Sequence, residues 1–195
     1  MDEASWIVFI ARSAMTYVSV GAVGGERAAM RALSLCSIFV LCLLSVEPVR
    51  AQVPDAIAAP GETAVATLHA EGAQLYECKA DGSNKLVWQF REPIAALLAD
   101  GKTVGRHYAG PNWDLADGSG VAAKVVGRAP GASAQDIPLL KLEVTAQRGT
   151  GQLSSVTTVQ RLNTKGGATD GSCEKAGAFL SVPYSADYAF FKKGQ

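Results

Sequence analysis

The residues between Arg106 and Gly120 are those most suited to chemistry in this sequence. The stretch R-H-Y-A-G-P-N-W-D-L-A-D-G-S-G contains one of the two histidines and one of the three tryptophans, beside an arginine, a tyrosine and two aspartates. His107 is a candidate general base, with Asp114 or Asp117 to orient its imidazole ring. No G-x-S-x-G motif or other nucleophile motif accompanies it. His107 and Asp114 are therefore candidates for catalysis without a partner nucleophile.

The same stretch is better suited to binding a ligand. Tyr108 and Trp113 provide flat apolar faces with polar tips, and aromatic faces beside polar groups suit sugars and aromatic metabolites. A second polar loop, at residues 160–167, contributes an arginine and an asparagine. The predicted ligand-binding residues are Arg106, His107, Tyr108, Asn112, Trp113, Asp114, Arg161 and Asn163. The alternative is that Trp113 plugs the end of the fold and that its polar neighbours only form turns.

Neither a metal nor a cofactor is indicated by the sequence. The one cluster that could hold zinc is His69, His107, Asp114 and Asp117, and its spacing matches no zinc motif. The segment D-L-A-D-G-S-G lacks the alternating acidic residues of a calcium loop. No G-x-G-x-x-G turn follows a strand, although a nicotinamide-binding unit requires one. We predict no metal site and no cofactor.

The elements that must position these residues are strands. Apolar and polar residues alternate with a period of two, and no long amphipathic helix is indicated. The predicted strand segments include 63–71, 74–80, 85–91, 103–108, 120–129, 138–148, 152–162, 179–182 and 184–191. Alternation places Tyr184, Ala186, Tyr188 and Phe190 on one face of the last segment. Residues 94–100 fit either a helix or a strand, and residues 163–167 are predicted as a loop. We predict an all-β fold, an antiparallel β-sandwich or β-barrel of about eight to ten short strands.

Residues 30–51 have the features of a secretory signal peptide. Arg31 provides the positive charge, residues 32–46 form an uncharged run, and Val49-Arg50-Ala51 fits the cleavage pattern. The run is shorter than the roughly 20 apolar residues of a membrane span. We predict cleavage after Ala51 and a secreted or periplasmic protein without a stable membrane anchor. A buried core helix and an uncleaved anchor are the alternatives.

The rest of the chain divides around this segment. Residues 1–29 are predicted to be a gene-model extension, because Met30 is a fitting start for a signal peptide, and a genuine N-terminal extension is the alternative. Residues 52–63 are rich in proline and alanine and are predicted to be a flexible lead-in. Residues 64–195 are predicted to be a single all-β domain.

Cys78 and Cys173 are the two cysteines downstream of the predicted cleavage site. In an oxidising compartment two cysteines of a small domain are expected to pair, and a catalytic thiol or metal ligand is the alternative. Eighteen basic and eighteen acidic residues give the chain a formal net charge of +0. Without a basic patch, nucleic acid and anionic membranes are disfavoured as partners.

Four segments together resemble a known family. They are L-Y-E-C at 75–78, G-R-H-Y-A-G-P-N-W at 105–113, V-Q-R-L-N-T-K-G-G at 159–167 and V-P-Y-S-A-D-Y-A-F-F at 182–191. They resemble a secreted family of bacteria and fungi that is classed as a domain of unknown function. Members are sometimes automatically labelled malate dehydrogenase, which the missing glycine-rich turn does not support. The resemblance implies no activity.

These patterns favour an exported, non-enzymatic module that binds a small molecule, a glycan or an envelope partner. Two alternatives stay open: a cofactor-free hydrolase-type enzyme centred on His107 and a nearby carboxylate, and a structural envelope protein. A binding module should expose Trp113 or Tyr108 beside a concavity. A structural protein should bury both residues and have no pocket beside them.

Overall fold

Eight antiparallel strands form a closed barrel in the structure, a computed structural model that describes residues 53–194. The strands are β1 (Glu62–Ala80), β2 (Leu86–Ala99), β3 (Lys102–Tyr108), β4 (Asn112–Leu115), β5 (Gly120–Ala129), β6 (Leu139–Arg148), β7 (Thr158–Gly166) and β8 (Phe179–Lys193). Each strand pairs with the next, and β8 pairs with β1. The all-β prediction is confirmed. The predicted extension and signal peptide lie outside the described residues.

The first strand is one continuous element of 19 residues, although the sequence predicts two segments separated near Gly72. A Cβ atom added at Gly72 would clash with the carbonyl oxygen of Ile94 in β2. Glycine is therefore required there by the close approach of the neighbouring strand, which is a common reason for glycine inside a strand. The residue that indicates a turn in the sequence allows tight pairing in the barrel.

The last two strands also differ from the sequence prediction. β7 begins only at Thr158 and then continues through the predicted loop, with Asn163 in the left-handed region at φ 50° within a β-bulge. The preceding residues instead form turns in which Leu153 and Val156 are completely buried in the core. β8 passes through Pro183 without a break, next to the end of the β7–β8 ladder, where a missing N–H costs least.

The segment before β1 packs on the outer wall of the barrel. Asp55–Ile57 form a single 3-10 turn, and the Ile57 side chain is fully buried. Gln160 donates a hydrogen bond to the Ile57 carbonyl, and the Lys141 ammonium donates one to the Ala58 carbonyl at 2.7 Å. The described part of the predicted flexible lead-in is thus tied to the barrel. Within residues 53–194, no helix has the length and apolar character needed to cross a membrane.

Cys78 and Cys173 form a disulfide with their Cα atoms 5.9 Å apart, as predicted. The bridge fastens the segment between β7 and β8 across the ends of β1 and β2. Backbone hydrogen bonds support it, from the Cys173 amide to the Leu86 carbonyl at 3.0 Å and from the Trp88 amide to the Gly171 carbonyl at 3.1 Å. The covalent link and the backbone bonds hold this end of the barrel together.

Inward-facing side chains of all eight strands contribute to the barrel interior. Successive strand residues point to opposite faces, so one face of each strand lines the interior. In β8 the inward residues are Tyr184, Ala186, Tyr188 and Phe190, each at most 5% exposed, which confirms the face predicted from alternation. Apolar residues such as Leu68, Leu97, Val121 and Leu142 fill the rest of the core.

Candidate functional site

The β3–β4 hairpin divides the chemically rich stretch between the two faces of the barrel wall. Its cross-strand pairs are Arg106 with Asp114, His107 with Trp113, and Tyr108 with Asn112. His107 and Trp113 are 2% and 0% exposed and face inward. Since alternate residues point to opposite faces, Arg106, Tyr108 and Asp114 lie on the outer surface. Residues adjacent in sequence therefore belong to two separate clusters.

The outer cluster is an ion-pair network around Asp114. The carboxylate accepts hydrogen bonds from Arg148 at 2.6 Å, from the Tyr108 hydroxyl at 2.7 Å and from Arg106 at 3.2 Å. Burial raises the pKa of Asp114, but these three hydrogen bonds outweigh burial and hold the pKa below its usual value. Both carboxylate oxygens are occupied on the outer wall, so Asp114 does not orient His107.

Asp117, the other carboxylate expected to orient His107, is bound in the turn after β4. It accepts hydrogen bonds from the Ser119 amide at 2.9 Å, the Ser119 hydroxyl at 2.6 Å and the Gln152 amide at 2.8 Å. These bonds hold the pKa of Asp117 below its usual value. The Asp117 carboxylate thus links two loops, and none of these hydrogen bonds involves His107.

His107 is a neutral interior histidine. Its Nδ1 lies 2.8 Å from the Asn112 carbonyl oxygen, which can only accept, so Nδ1 carries the proton and Nε2 is left as an acceptor. The ring stacks on Trp113 with centroids 4.5 Å apart and planes 11° from parallel. Burial lowers the pKa of His107 to about 4; the bond to Asn112 opposes this shift, and the charge of Arg161 adds to it.

The titration of His107 predicts a pH dependence of stability. Unfolded histidine binds a proton near pH 6.5, whereas folded His107 does so near pH 4, so protons favour the unfolded state in between. We expect the free energy of unfolding to fall by about 3 kcal/mol as the pH drops from 6.5 to 4. Urea titrations across this range measure it.

His107→Asn is the matched control for this prediction. The asparagine amide can still donate to the Asn112 carbonyl but does not titrate, so the slope between pH 6.5 and 4 should flatten. The carboxylates of Asp114, Asp117 and Asp136 have pKa values held below their usual range, so their protonation also reduces stability as the pH approaches 4, but it does so equally in wild type and variant and does not affect the comparison. An equal slope in wild type and variant would contradict burial of a neutral His107.

A cavity of about 300 Å³ occupies one end of the barrel interior. Its inner boundary is formed by His107, Trp113 and Tyr188, which pack on one another with centroids 4.5 to 5.2 Å apart. Exposed Phe90 and Arg128 lie toward its opening. The complete lining is Gln74, Tyr76, Phe90, Arg91, Pro93, His107, Gly110, Pro111, Trp113, Val125, Arg128, Ile137, Pro138, Leu140, Leu142, Arg161 and Tyr188.

Two buried donors on this lining have no hydrogen-bond partner within the described chain. They are the side-chain amide Nε2 of Gln74 and the indole Nε1 of Trp113. Burial raises the pKa of Tyr184 and the neighbouring Gln74 side chain opposes this shift, although the Gln74 amide nitrogen has no hydrogen-bond partner among the described residues. A buried donor without a partner costs about 1–3 kcal/mol. Such atoms are usually explained by a water or ligand that completes the site.

The structure brings together three of the eight predicted binding residues. His107, Trp113 and Arg161 line the cavity. Arg106, Tyr108 and Asp114 form the outer network. The other two lie elsewhere: Asn112 donates to the Ala109 carbonyl in the hairpin turn, and Asn163 donates to Asp187 on the outside, where Asp187 also contacts His69. Trp113 is thus fully buried, as the plug alternative expects and the surface-binding hypothesis does not, but it borders a pocket, which a purely structural protein was not expected to have.

Sequence reasoning missed Gln74, Tyr76 and Tyr188 as parts of the site. The alternation that places Tyr76 and Cys78 on one face of β1 also places Gln74 there, two residues earlier. A glutamine on an inward face is the signal that could have identified it, because such a polar side chain needs a partner in the interior.

The four residues considered as zinc ligands are dispersed over the barrel. His69 bonds to Asp187 at 2.8 Å on the outer wall, while His107 is inside. Asp114 and Asp117 are held by the contacts described above. Across residues 53–194, no three histidine, cysteine or acidic side chains are grouped closely enough to hold a metal ion.

A comparison with known protein families gives a match that extends over the barrel. A family profile described as "Protein of unknown function (DUF3455)" matches residues 59–192. The chain belongs to this family. The DUF3455 region begins just before β1 and ends within β8, so it contains the barrel and the lining of the cavity. No curated protein and no solved structure matches the chain. The resemblance to a family of unknown function is confirmed, and DUF3455 assigns no activity to the cavity.

Proposed function

We propose that this protein binds a small molecule inside its barrel. The observation that carries the proposal is the cavity of about 300 Å³ lined by Gln74 and Trp113, two buried side chains with unpartnered donors. Protein interiors are normally close-packed and their polar groups are hydrogen-bonded. A barrel with a purely structural role would therefore be expected to fill this cavity and to pair these donors. The cavity volume falls at the lower end of the range of small-molecule sites.

The binding mode differs from the surface platform favoured by the sequence. The ligand would enter beside Phe90 and contact Trp113 from within the barrel. The outer network of Arg106, Tyr108 and Asp114 is already satisfied by its own hydrogen bonds. Catalysis is not proposed, because His107 has its Nδ1 bound to a carbonyl and no carboxylate or nucleophile bound to its ring among the described residues.

We also propose that the protein is exported, so that the cavity meets extracellular or periplasmic solutes. Residues 30–51 have a signal-peptide pattern. The Cys78–Cys173 disulfide supports the same compartment, because stable disulfides form mainly in oxidising environments. N-terminal sequencing of the protein recovered from the exported fraction should begin at Gln52. Recovery of peptides from residues 1–29 in that fraction would contradict the proposed processing.

A pair of tryptophan substitutions tests the cavity itself. Val125 lines the cavity, whereas its neighbour Val126 is 52% exposed on the outer wall. We expect the neutral fluorophore N-phenyl-1-naphthylamine to bind the wild-type protein saturably. Val125→Trp should weaken binding by at least about tenfold, equivalent to 1.4 kcal/mol, because the indole fills the cavity. Val126→Trp should not change it. Fluorescence titration measures both, and equal binding by the two variants would place the site elsewhere.

A further inference from the structure

We propose that the ligand of the barrel cavity is an organic anion whose carboxylate, or a similar charged group, pairs with Arg161 inside the barrel. The apolar body of this anion would lie against Trp113 and Tyr188. The inference rests on the proposed function, since it specifies the chemical class of molecule that the cavity takes.

Arg161 is a buried cation without a counter-ion. It is 9% exposed, and its Nε donates to the Pro138 carbonyl at 3.0 Å. The ion pairs of the described residues involve other side chains, and none reaches Arg161 within 4.0 Å. Removing a charge from water is costly unless it is paired. The planar guanidinium suits two parallel hydrogen bonds to a carboxylate.

The charge of the whole cavity favours an anion. Three arginines, Arg91, Arg128 and Arg161, belong to its lining, which contains no aspartate or glutamate. Arg91 is already paired with Glu77 and Glu92. Burial is the main influence on the pKa of His107 and Tyr188, and the ionic group that acts on both is Arg161. An entering anion would therefore meet the positive charge of Arg128 near the opening of the cavity and that of Arg161 deeper inside.

The remaining polar atoms complete a site for an anion. The amide of Gln74 and the indole N–H of Trp113 are buried donors without partners on two side chains that line the cavity, so this lining suits ligand oxygen atoms better than further donors. A ligand ammonium group has no acceptor, so it would leave both donors unpaired and would be repelled by the charge of Arg161. The Nε2 of His107 is the one free acceptor described above, and it suits a ligand hydroxyl or a bound water.

The outer face of the β3–β4 hairpin, within the described residues, does not offer an equivalent anion site. Arg106 and Arg148 are the nearby arginines there, and Asp114 occupies both of them. Arg148 is therefore a suitable control residue, because it is an arginine in a hydrogen-bonded cluster that lies on the other side of the barrel wall.

The test compares 1-naphthoate with 1-naphthamide, which have the same ring system and nearly the same size but differ in charge. Isothermal titration calorimetry should show that wild-type protein prefers the naphthoate by at least about tenfold, or 1.4 kcal/mol. Arg161→Gln should abolish this preference while naphthamide still binds. Arg161→Lys should retain part of it, since it keeps the charge but not the planar fork. Arg148→Gln should leave the preference unchanged.

The outcomes separate this inference from the proposed function. Equal binding of naphthoate and naphthamide to wild-type protein would overturn the anion proposal and leave cavity binding intact. Binding of N-phenyl-1-naphthylamine without binding of naphthoate would do the same. Failure of all three compounds to bind would overturn both proposals. If Arg161→Gln does not unfold cooperatively, the wild-type preference and the Arg161→Lys variant decide the question.

Discussion

Replacing Trp113 with alanine is expected to lower the free energy of unfolding by about 3–5 kcal/mol. Trp113 is completely buried, stacks on His107, and meets Tyr188 and Phe190 edge to face with centroids 5.2 and 6.1 Å apart. Its removal would join a large void to the existing cavity and deprive three rings of packing. We expect a drop in Tm on the order of 10 °C.

Chemical denaturation and thermal unfolding of matched variants measure this effect. Trp113→Phe keeps an aromatic ring but removes the unpartnered indole N–H, so it should cost clearly less than alanine. Trp88→Ala is the second control, because Trp88 is only partly buried on β2 and the same truncation opens less interior space. A loss below 1 kcal/mol for Trp113→Ala would show that this ring does not support the core.

Opening the Cys78–Cys173 disulfide is expected to cost about 4.5 kcal/mol. The two cysteines are separated by 95 residues, and the chain-entropy treatment assigns an effect of this size to a loop of that length. Cys78 is also fully buried, so the double variant Cys78→Ala/Cys173→Ala is preferable to serine, which would bury a hydroxyl. The bridge secures the segment between β7 and β8 against β1 and β2.

Urea unfolding with and without a reductant tests the role of the bridge. Wild-type protein should lose stability when reductant is added, and the double alanine variant should be equally unstable in both conditions. Reduction should also make the cavity lining less ordered. Tyr76, which lines the cavity, lies on the same strand as Cys78 and donates a hydrogen bond to the Gly167 carbonyl at 2.7 Å. Wild-type stability that is insensitive to full reduction would contradict a structural role.

The strand content was predictable because alternation is a local property. The four inward side chains of β8 were assigned to one face from spacing alone, and all are buried. The continuity of the long strands was not predictable. Gly72 and Pro183 both interrupt the alternating pattern in the sequence. In the barrel, Gly72 allows the neighbouring strand to approach closely, and Pro183 lies next to the end of the β7–β8 ladder.

The candidate site was predictable only in part, because alternation is local whereas the cavity is formed by strands that are distant in sequence. Spacing shows that His107 alternates with Arg106 and Tyr108, so these residues could not all enter one pocket. Proximity along the chain nevertheless suggested that they form one binding cluster. Arg161 was predicted to join the same site from a separate loop, and it lies on β7, where it lines the cavity together with His107 and Trp113.

The amino-acid order alone indicated the all-β class and the residues that share a face of a strand, and it led us to expect that Cys78 pairs with Cys173. These features follow from side-chain alternation and from the small number of cysteines. Which face is the interior became clear from the folded barrel, because the pairing of β8 with β1 closes the sheet and creates an inside. In the closed barrel, Trp113 and Arg161 line one cavity, and Asp114 lies on the outer wall. Its physical cause is the burial of apolar side chains, which no single strand accomplishes alone.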